Sequence, residues 1–208
     1  MKLIIGWIIV IIGLVCFKEC SAKFINIGMI YEDDIKPHRM TYQRDWSDVL
    51  DNSTLVFDIA SAENSVKKGW IDGKWYPHPS VEGGNPTIAY GHKLTDEEYK
   101  SGIYLDGITD IRAYRLLIQD IEKAVRTIKM DPMVWNQLSW QQKYLLIDFQ
   151  FNLGNVVGKF PKFTKAVLNK DRYNMLRQYK RYYRDAKGDK YELKDRNERT
   201  KRFIIQNF

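Results

Sequence analysis

The sequence predicts a mainly helical α+β fold, and three observations carry that expectation. Apart from a strand hint at Ile25 and Ile27, strand signals are confined to one short region, 69–91, where β-branched and aromatic residues alternate with Gly-rich turns. Helical spacing of apolar residues, opened repeatedly by Ser, Thr or Asp, runs through most of the remainder. At 208 residues the chain is long enough for one domain, or a two-lobed unit, with a substantial core.

Met1-Lys2 is followed by an uncharged, largely aliphatic run over 3–17. As a helix this run reaches about 22 Å, short of a hydrocarbon core of roughly 30 Å. The length suits a secretory signal, and Cys20-Ser21-Ala22 supplies small residues for cleavage before Lys23; an uncleaved anchor is the alternative. Residues 1–22 are therefore set apart as signal peptide or membrane anchor. Residues 23–52 read as a polar extension or linker, and 53–208 as the folded domain.

Ser53 or Thr54 is placed to cap a helix running to about Lys68. Val56, Ile59, Ala60, Glu63 and Val66 share one stripe of it, so Glu63 falls among apolar neighbours. Burial disfavours a carboxylate's charge and suits it to hold a proton as a general acid. The plainer alternative is a glutamate paired with a buried arginine. Gly69 to Tyr76 reads as a hairpin around an Asp72-Gly73 turn. Its Trp70, Trp75 and Tyr76 suit either sugar-ring faces or cross-strand packing.

Glu82 leads a Gly83-Gly84-Asn85-Pro86 turn, and Thr87-Ile88-Ala89-Tyr90 follows as a strand stopped at Gly91. His92 is expected to do structural work by bonding a carboxylate. Thr95-Asp96-Glu97-Glu98 is a capping box, and Thr109 opens a long helix expected to end at Asp131-Pro132 and to join two lobes. Ser139-Trp140-Gln141-Gln142 is a second capping box, leading into an apolar, buried helix over 143–153 stopped by Gly154. Asp171 caps a helix expected to reach about Tyr183. Lys187-Gly188-Asp189 makes a turn, and a basic helix closes the chain.

Thirty-three Lys and Arg stand against 26 Asp and Glu, a net +7. From Lys159 onward sixteen basic and six acidic residues leave +10 in the last fifty positions. Such a field attracts polyanions, whether nucleic acid, anionic membrane or an acidic cell wall. The final helix lacks interleaved stacking aromatics and no recognition motif is present, which argues against nucleic acid. The cysteines are Cys16 and Cys20 and the histidines His38, His78 and His92, with no metal-ligand spacing, so neither metal nor cofactor is expected.

A helical Glu63, the Glu82-Gly83-Gly84-Asn85-Pro86 turn and Thr87-Ile88-Ala89-Tyr90-Gly91-His92 come in an order that resembles the phage-type lysozymes, the endolysins and virion muramidases. That family carries a helical Glu, an Asp or Cys in a Gly-rich turn, then Thr-Ile-Gly-Tyr-Gly-His. The stretch Asp148-Phe149-Gln150-Phe151-Asn152-Leu153-Gly154 resembles its Asp-Phe-x-Phe-Asn-x-Gly helix. Phe160-Pro161-Lys162-Phe163 and the basic run 196–204 continue the likeness, which covers about 55–208. There are two departures. An insertion separates Glu63 from the turn, and the second carboxylate is Glu82, one place beyond the matching Val81, with Asp72 as the alternative.

The resemblance implies a lysozyme-like two-lobed fold, a small antiparallel sheet lobe and a helical lobe with a cleft between them. It implies cleavage of the β-1,4 bond between N-acetylmuramic acid and N-acetylglucosamine in bacterial peptidoglycan, without cofactor, by a monomer. Glu63 would be the acid, Glu82 the base or electrostatic stabiliser, and Thr87 the residue that orients water. Trp70, Tyr90 and Asn152 are candidate substrate contacts; for Asn152 a bond to loop backbone is the alternative. Such an enzyme would act across the host inner membrane, exported or anchored through 3–17. A lytic transglycosylase and a non-catalytic wall-binding virion protein are the rival expectations.

Overall fold

The computed structural model describes residues 44–80, 84–184 and 188–208. The apolar run 3–17 and Glu82 therefore lie outside the described residues. The elements in chain order are α1 (Ser47–Asn52), α2 (Leu55–Glu63), β1 (Trp70–Ile71), β2 (Lys74–Trp75), β3 (Thr87–Ile88), β4 (His92–Lys93), α3 (Asp96–Ser101) and α4 (Asp110–Arg126). Then come α5 (Pro132–Asn136), α6 (Trp140–Leu153), α7 (Val156–Lys159), α8 (Pro161–Leu168), α9 (Arg172–Gln178), β5 (Tyr182–Arg184), β6 (Lys190–Glu192) and α10 (Lys194–Asn207). The fold is mainly helical with small antiparallel two-stranded sheets, as the sequence predicts.

Two cores organise these elements. The sheet side buries Trp75, Ile88, Ala89, Leu94, Tyr104, Ile108 and Ala113, the last from the start of α4. The helical side is built around α6, which is buried continuously from Gln142 to Gln150 and packs against α1, α2, α4 and α8. Helix α4 touches both, contacting β2 and β4 near its start and α6 along its length. At about 1.5–3 kcal/mol for each large apolar side chain withdrawn from water, buried Tyr144, Leu145, Leu146, Ile147 and Phe149 make α6 a large contributor to the fold.

The capping signals at Thr95, Thr109, Ser139 and Asp171 all operate. Thr95 and Ser139 form reciprocal boxes with Glu98 and Gln142. Four boundaries differ from expectation. Helix α2 stops at Glu63, because Asn64 turns its side chain onto the backbone of Lys68, accepting from its N–H at 2.8 Å and donating to its carbonyl at 2.9 Å. Of the two residues expected to cap α2, Thr54 directly precedes it but its hydroxyl donates to Asp58 at 2.7 Å, while Ser53 Oγ accepts from the Leu55 N–H at 3.3 Å. Helix α4 ends at Arg126, and Asp131-Pro132 starts α5, with Asp131 accepting from Met133 N–H at 2.7 Å.

Helix α9 ends at Gln178, and Tyr182–Arg184 forms a hairpin strand with Lys190–Glu192. Asn197 holds this segment out of the helix, accepting from the Arg181 N–H at 2.9 Å and donating to its carbonyl at 3.1 Å. Residues 44–52 belong to the packed unit, with Trp46 and Val49 buried and Asp48 paired with Lys143 at 2.9 Å. Packing therefore begins before residue 53.

Candidate active site

Glu63 is the last residue of α2, and its carboxylate is held by α10. Arg196 Nη2 donates to Glu63 Oε1 at 2.6 Å, joining residues 133 positions apart. The Arg196 side chain is buried, while that of Glu63 is 27% exposed. The expectation of an enclosing apolar stripe is thus corrected: an arginine, not hydrocarbon, fixes this carboxylate. One turn earlier, Asp58 accepts from the Tyr144 hydroxyl at 2.7 Å and pairs with Arg199 Nε at 3.6 Å, while its backbone carbonyl accepts from Arg199 Nη1. Phe203 stacks on Tyr144 at 3.9 Å. Two arginines of α10 therefore dock the helix that presents Glu63, and Phe203 packs α10 on Tyr144 of α6.

The same helix end is tied to the β3–β4 hairpin. Asn64 Nδ2 donates to the Ala89 carbonyl at 2.7 Å. The hairpin turns through Ala89-Tyr90-Gly91, with positive φ at Ala89 and Gly91. Gly91 is favoured here by its φ of 84°, and it lies beside Glu63, whose Oε2 would be in ordinary contact, 3.6 Å, with a Cβ at this position. The structure thus brings Glu63 against the hairpin whose first strand carries Thr87.

Thr87 is half-buried, and its neighbour comes from the inserted segment. Residues 76–80 run back along β3, so that His78 and Thr87 exchange backbone hydrogen bonds of 2.8 and 2.9 Å. Thr87 Oγ1 lies 3.3 Å from His78 Nδ1. Asp72 sits exposed at the tip of the β1–β2 turn with φ of 46°, where Asp is tolerated and Gly73 follows with φ of 80°.

The aromatic candidates form a packed row. Trp70 meets Trp75 edge-on at 4.9 Å, Trp75 meets Tyr90 at 5.1 Å, and Tyr90 meets Tyr114 of α4 at 4.9 Å. The Tyr90 hydroxyl and Trp75 Nε1 both donate to Asp110 Oδ1 at 2.8 Å. Burial, then the Tyr114 and Asp110 contacts, push the Tyr90 hydroxyl well above its usual pKa, so it stays a donor. Trp70 is half-buried under the Lys67 ammonium, 5.7 Å from its ring. Asn152 at the end of α6 has a buried Oδ1 with no partner among the described residues, so this oxygen makes no loop-backbone bond there.

His92 bonds Asp120 at 2.7 Å through Nδ1 and Glu98 at 3.3 Å through Nε2, linking β4 to α3 and α4. Burial alone would lower its pKa, but the two carboxylates outweigh burial and hold it raised. Glu98 in turn is brought down to about 2; burial opposes this, and the Thr95 cap, His92 and Tyr104 overcome it. Among the described residues no group of three or more His, Cys, Asp or Glu is arranged to hold a metal ion.

Sequence reasoning missed three participants: Arg196, Asp110 and His78. Arg196 lay inside a run read for its net charge and its likeness to the family's terminal basic helix, and Asp110 beside a recognised cap. His78 was weighed only as a metal ligand, and the insertion carrying it has no counterpart in the family pattern.

Against family models, residues 71–200 match the one described as phage lysozyme, which spans more than half of the chain. The match contains Thr87, His92, Asn152 and Arg196 and begins downstream of Glu63. Comparison with curated proteins and with solved structures finds no match. A two-core, mainly helical fold with a helical glutamate against a Thr-bearing hairpin agrees with that assignment, and the chain belongs to the phage lysozyme family, the lysozyme-type glycosidases that degrade peptidoglycan.

Proposed function

We propose that the protein is an N-acetylmuramidase, cleaving the β-1,4 bond from N-acetylmuramic acid to N-acetylglucosamine, with Glu63 as general acid. The observation that carries this reading is the placement of Glu63 at the end of α2, against the Gly91 turn of the hairpin that bears Thr87 and partly open to solvent; Arg196 fixes where the carboxylate points. Glycoside hydrolysis needs one carboxyl to protonate the leaving oxygen and a second group to stabilise the oxocarbenium ion or activate water on the opposite face. Thr87 orients the water, and Glu82, five positions before Thr87 in the sequence, supplies the second carboxylate. Asn152, at the end of α6, and Trp70, at the head of the aromatic row, contact the glycan. The anionic wall is drawn by the basic residues of the last fifty positions that remain exposed, such as Arg172 and Arg177. Because the substrate lies outside the cytoplasmic membrane, the protein acts after export or from an anchor at 3–17.

The test is digestion of purified peptidoglycan with the soluble fragments read by mass. Reducing muramic ends are expected. Fragments lighter by one water mean a transglycosylase, and no fragments mean a wall-binding protein. A Glu63→Gln enzyme is expected to lose at least about 100-fold in rate, the usual worth of a positioned acid, and a loss within roughly tenfold would sink the assignment.

A further inference from the structure

His78 is fixed from four sides. Its backbone forms a two-bond antiparallel pair with Thr87, which sets both side chains on one face of the strand pair. Its ring lies over Gly69, where a Cβ would stand only 2.8 Å from Cδ2, so the ring's seat exists because residue 69 has no side chain. Nδ1 is 3.3 Å from the Pro79 carbonyl and 3.3 Å from Thr87 Oγ1. Nε2 is buried with no partner among the described residues.

These contacts assign the proton. The Pro79 carbonyl can only accept, so Nδ1 carries the hydrogen and shares it with Thr87 Oγ1. Nε2 is then a bare lone pair, which is cheaper to leave unmet in the interior than an N–H. Lys68, from the loop after α2, donates to the same Pro79 carbonyl at 3.4 Å and completes the surroundings.

We propose that His78 is a positioning residue for the reaction, its Nδ1–H occupying one acceptor site of Thr87 Oγ1 and so turning the free lone pair and the hydrogen of that hydroxyl towards the attacking water. The inference rests on the reading of Thr87 given above. A threonine hydroxyl alone rotates among three staggered directions. A donor built into the adjacent strand removes one of them before substrate arrives, which is pre-organisation supplied by the inserted segment.

The experiment is a cycle of His78→Ala, Thr87→Val and the double variant, with His78→Asn and His78→Gln alongside. Values of kcat and KM are measured on soluble glycan fragments. His78→Ala is expected to lower kcat roughly threefold to tenfold, the worth of one neutral hydrogen bond, with KM within about twofold. His78→Asn, whose amide nitrogen falls near the place of Nδ1, is expected to restore most of kcat, and His78→Gln, which reaches towards Nε2, is not. In the Thr87→Val background His78→Ala is expected to cost nothing more. Full additivity in that background, or equal losses for Asn and Gln, would overturn the proposal while leaving Thr87 in place. A Thr87→Val enzyme with parental kcat would instead remove Thr87 from the mechanism, and the role of His78 with it.

Discussion

Removing the charge of Asp148 tests what holds α10 and the Glu63 site together. Asp148, in the middle of α6, accepts from Arg181 Nη1 at 2.7 Å, and the Arg181 side chain is 0% exposed. That guanidinium also donates to Thr200 Oγ1 at 2.5 Å and to the Arg196 carbonyl at 3.3 Å, and lies over Phe149 at 4.3 Å. Burial, with the nearby Arg196 charge, keeps Arg181 below its ordinary pKa even though Asp148 pulls the other way. Asp148→Asn keeps the shape but leaves a buried cation with only neutral acceptors. Breaking a buried pair from one side costs about 3–5 kcal/mol. At roughly 2–4 °C per kcal/mol for a domain of this size, Tm falls by about 6–20 °C. Arg181→Met leaves the carboxylate alone and is expected to cost a similar amount. The double variant buries neither charge, so its loss is expected to fall short of the sum by at least about 2 kcal/mol. Urea denaturation at pH 7, followed by tryptophan fluorescence, measures all four proteins. If Asp148→Asn cost less than about 1 kcal/mol, or the single losses added within about 0.5 kcal/mol, the pair would not be the keystone argued here.

His92→Asn is expected to destabilise most between the ordinary pKa of Glu98 and that of His92 itself. The stability from the raised His92 is full below 6.5 and lost as pH climbs through its folded pKa, while that from Glu98 is present above 4.5 and lost as pH falls towards about 2. Thermal melts of both proteins from pH 3 to 9 should diverge most near pH 5–6, and a constant gap would refute the linkage. Thr95→Ala removes the cap of α3 and is expected to cost about 0.5–2 kcal/mol by urea denaturation. Asp110→Ala strips the acceptor from both Trp75 Nε1 and the Tyr90 hydroxyl, and should cost about 2–4 kcal/mol, with Tyr90→Phe recovering part of it in the double variant. No recovery would mean the two donors find other partners.

What the sequence made legible was local. Caps announce themselves because a hydroxyl or carboxylate accepts from the free backbone N–H three residues on in one favoured geometry, and Thr95, Thr109, Ser139 and Asp171 all sit where expected. The Asp72-Gly73 turn was equally readable, since few residues accept positive φ. Boundaries failed where a distant partner decided them. Tyr182–Arg184 reads as a helical continuation until Asn197, on another element, takes both backbone groups of Arg181. The site was half legible for the same reason. Glu63 and Thr87 stand out by motif, but Arg196 and His78 are set beside them by chain closure and by an insertion, and neither leaves a periodic trace.

The basic C-terminus carries a further consequence. Its +10 reads as a field for an acidic wall, yet three of its most buried cations point inward. Arg181 pairs with Asp148, Arg196 with Glu63 and Arg199 with Asp58, so the carboxylates of α2 and α6 are met from one direction by the last elements of the chain. Screening by salt weakens exposed charges and leaves such pairs largely untouched. Attraction to the wall should therefore fade with ionic strength while the site's geometry does not. Glu63 is also set only once α10 has docked, because its partner comes 133 residues later. Closing a loop of that length costs chain entropy that other packing must offset. The position of Glu63 therefore depends on α10 being packed in place.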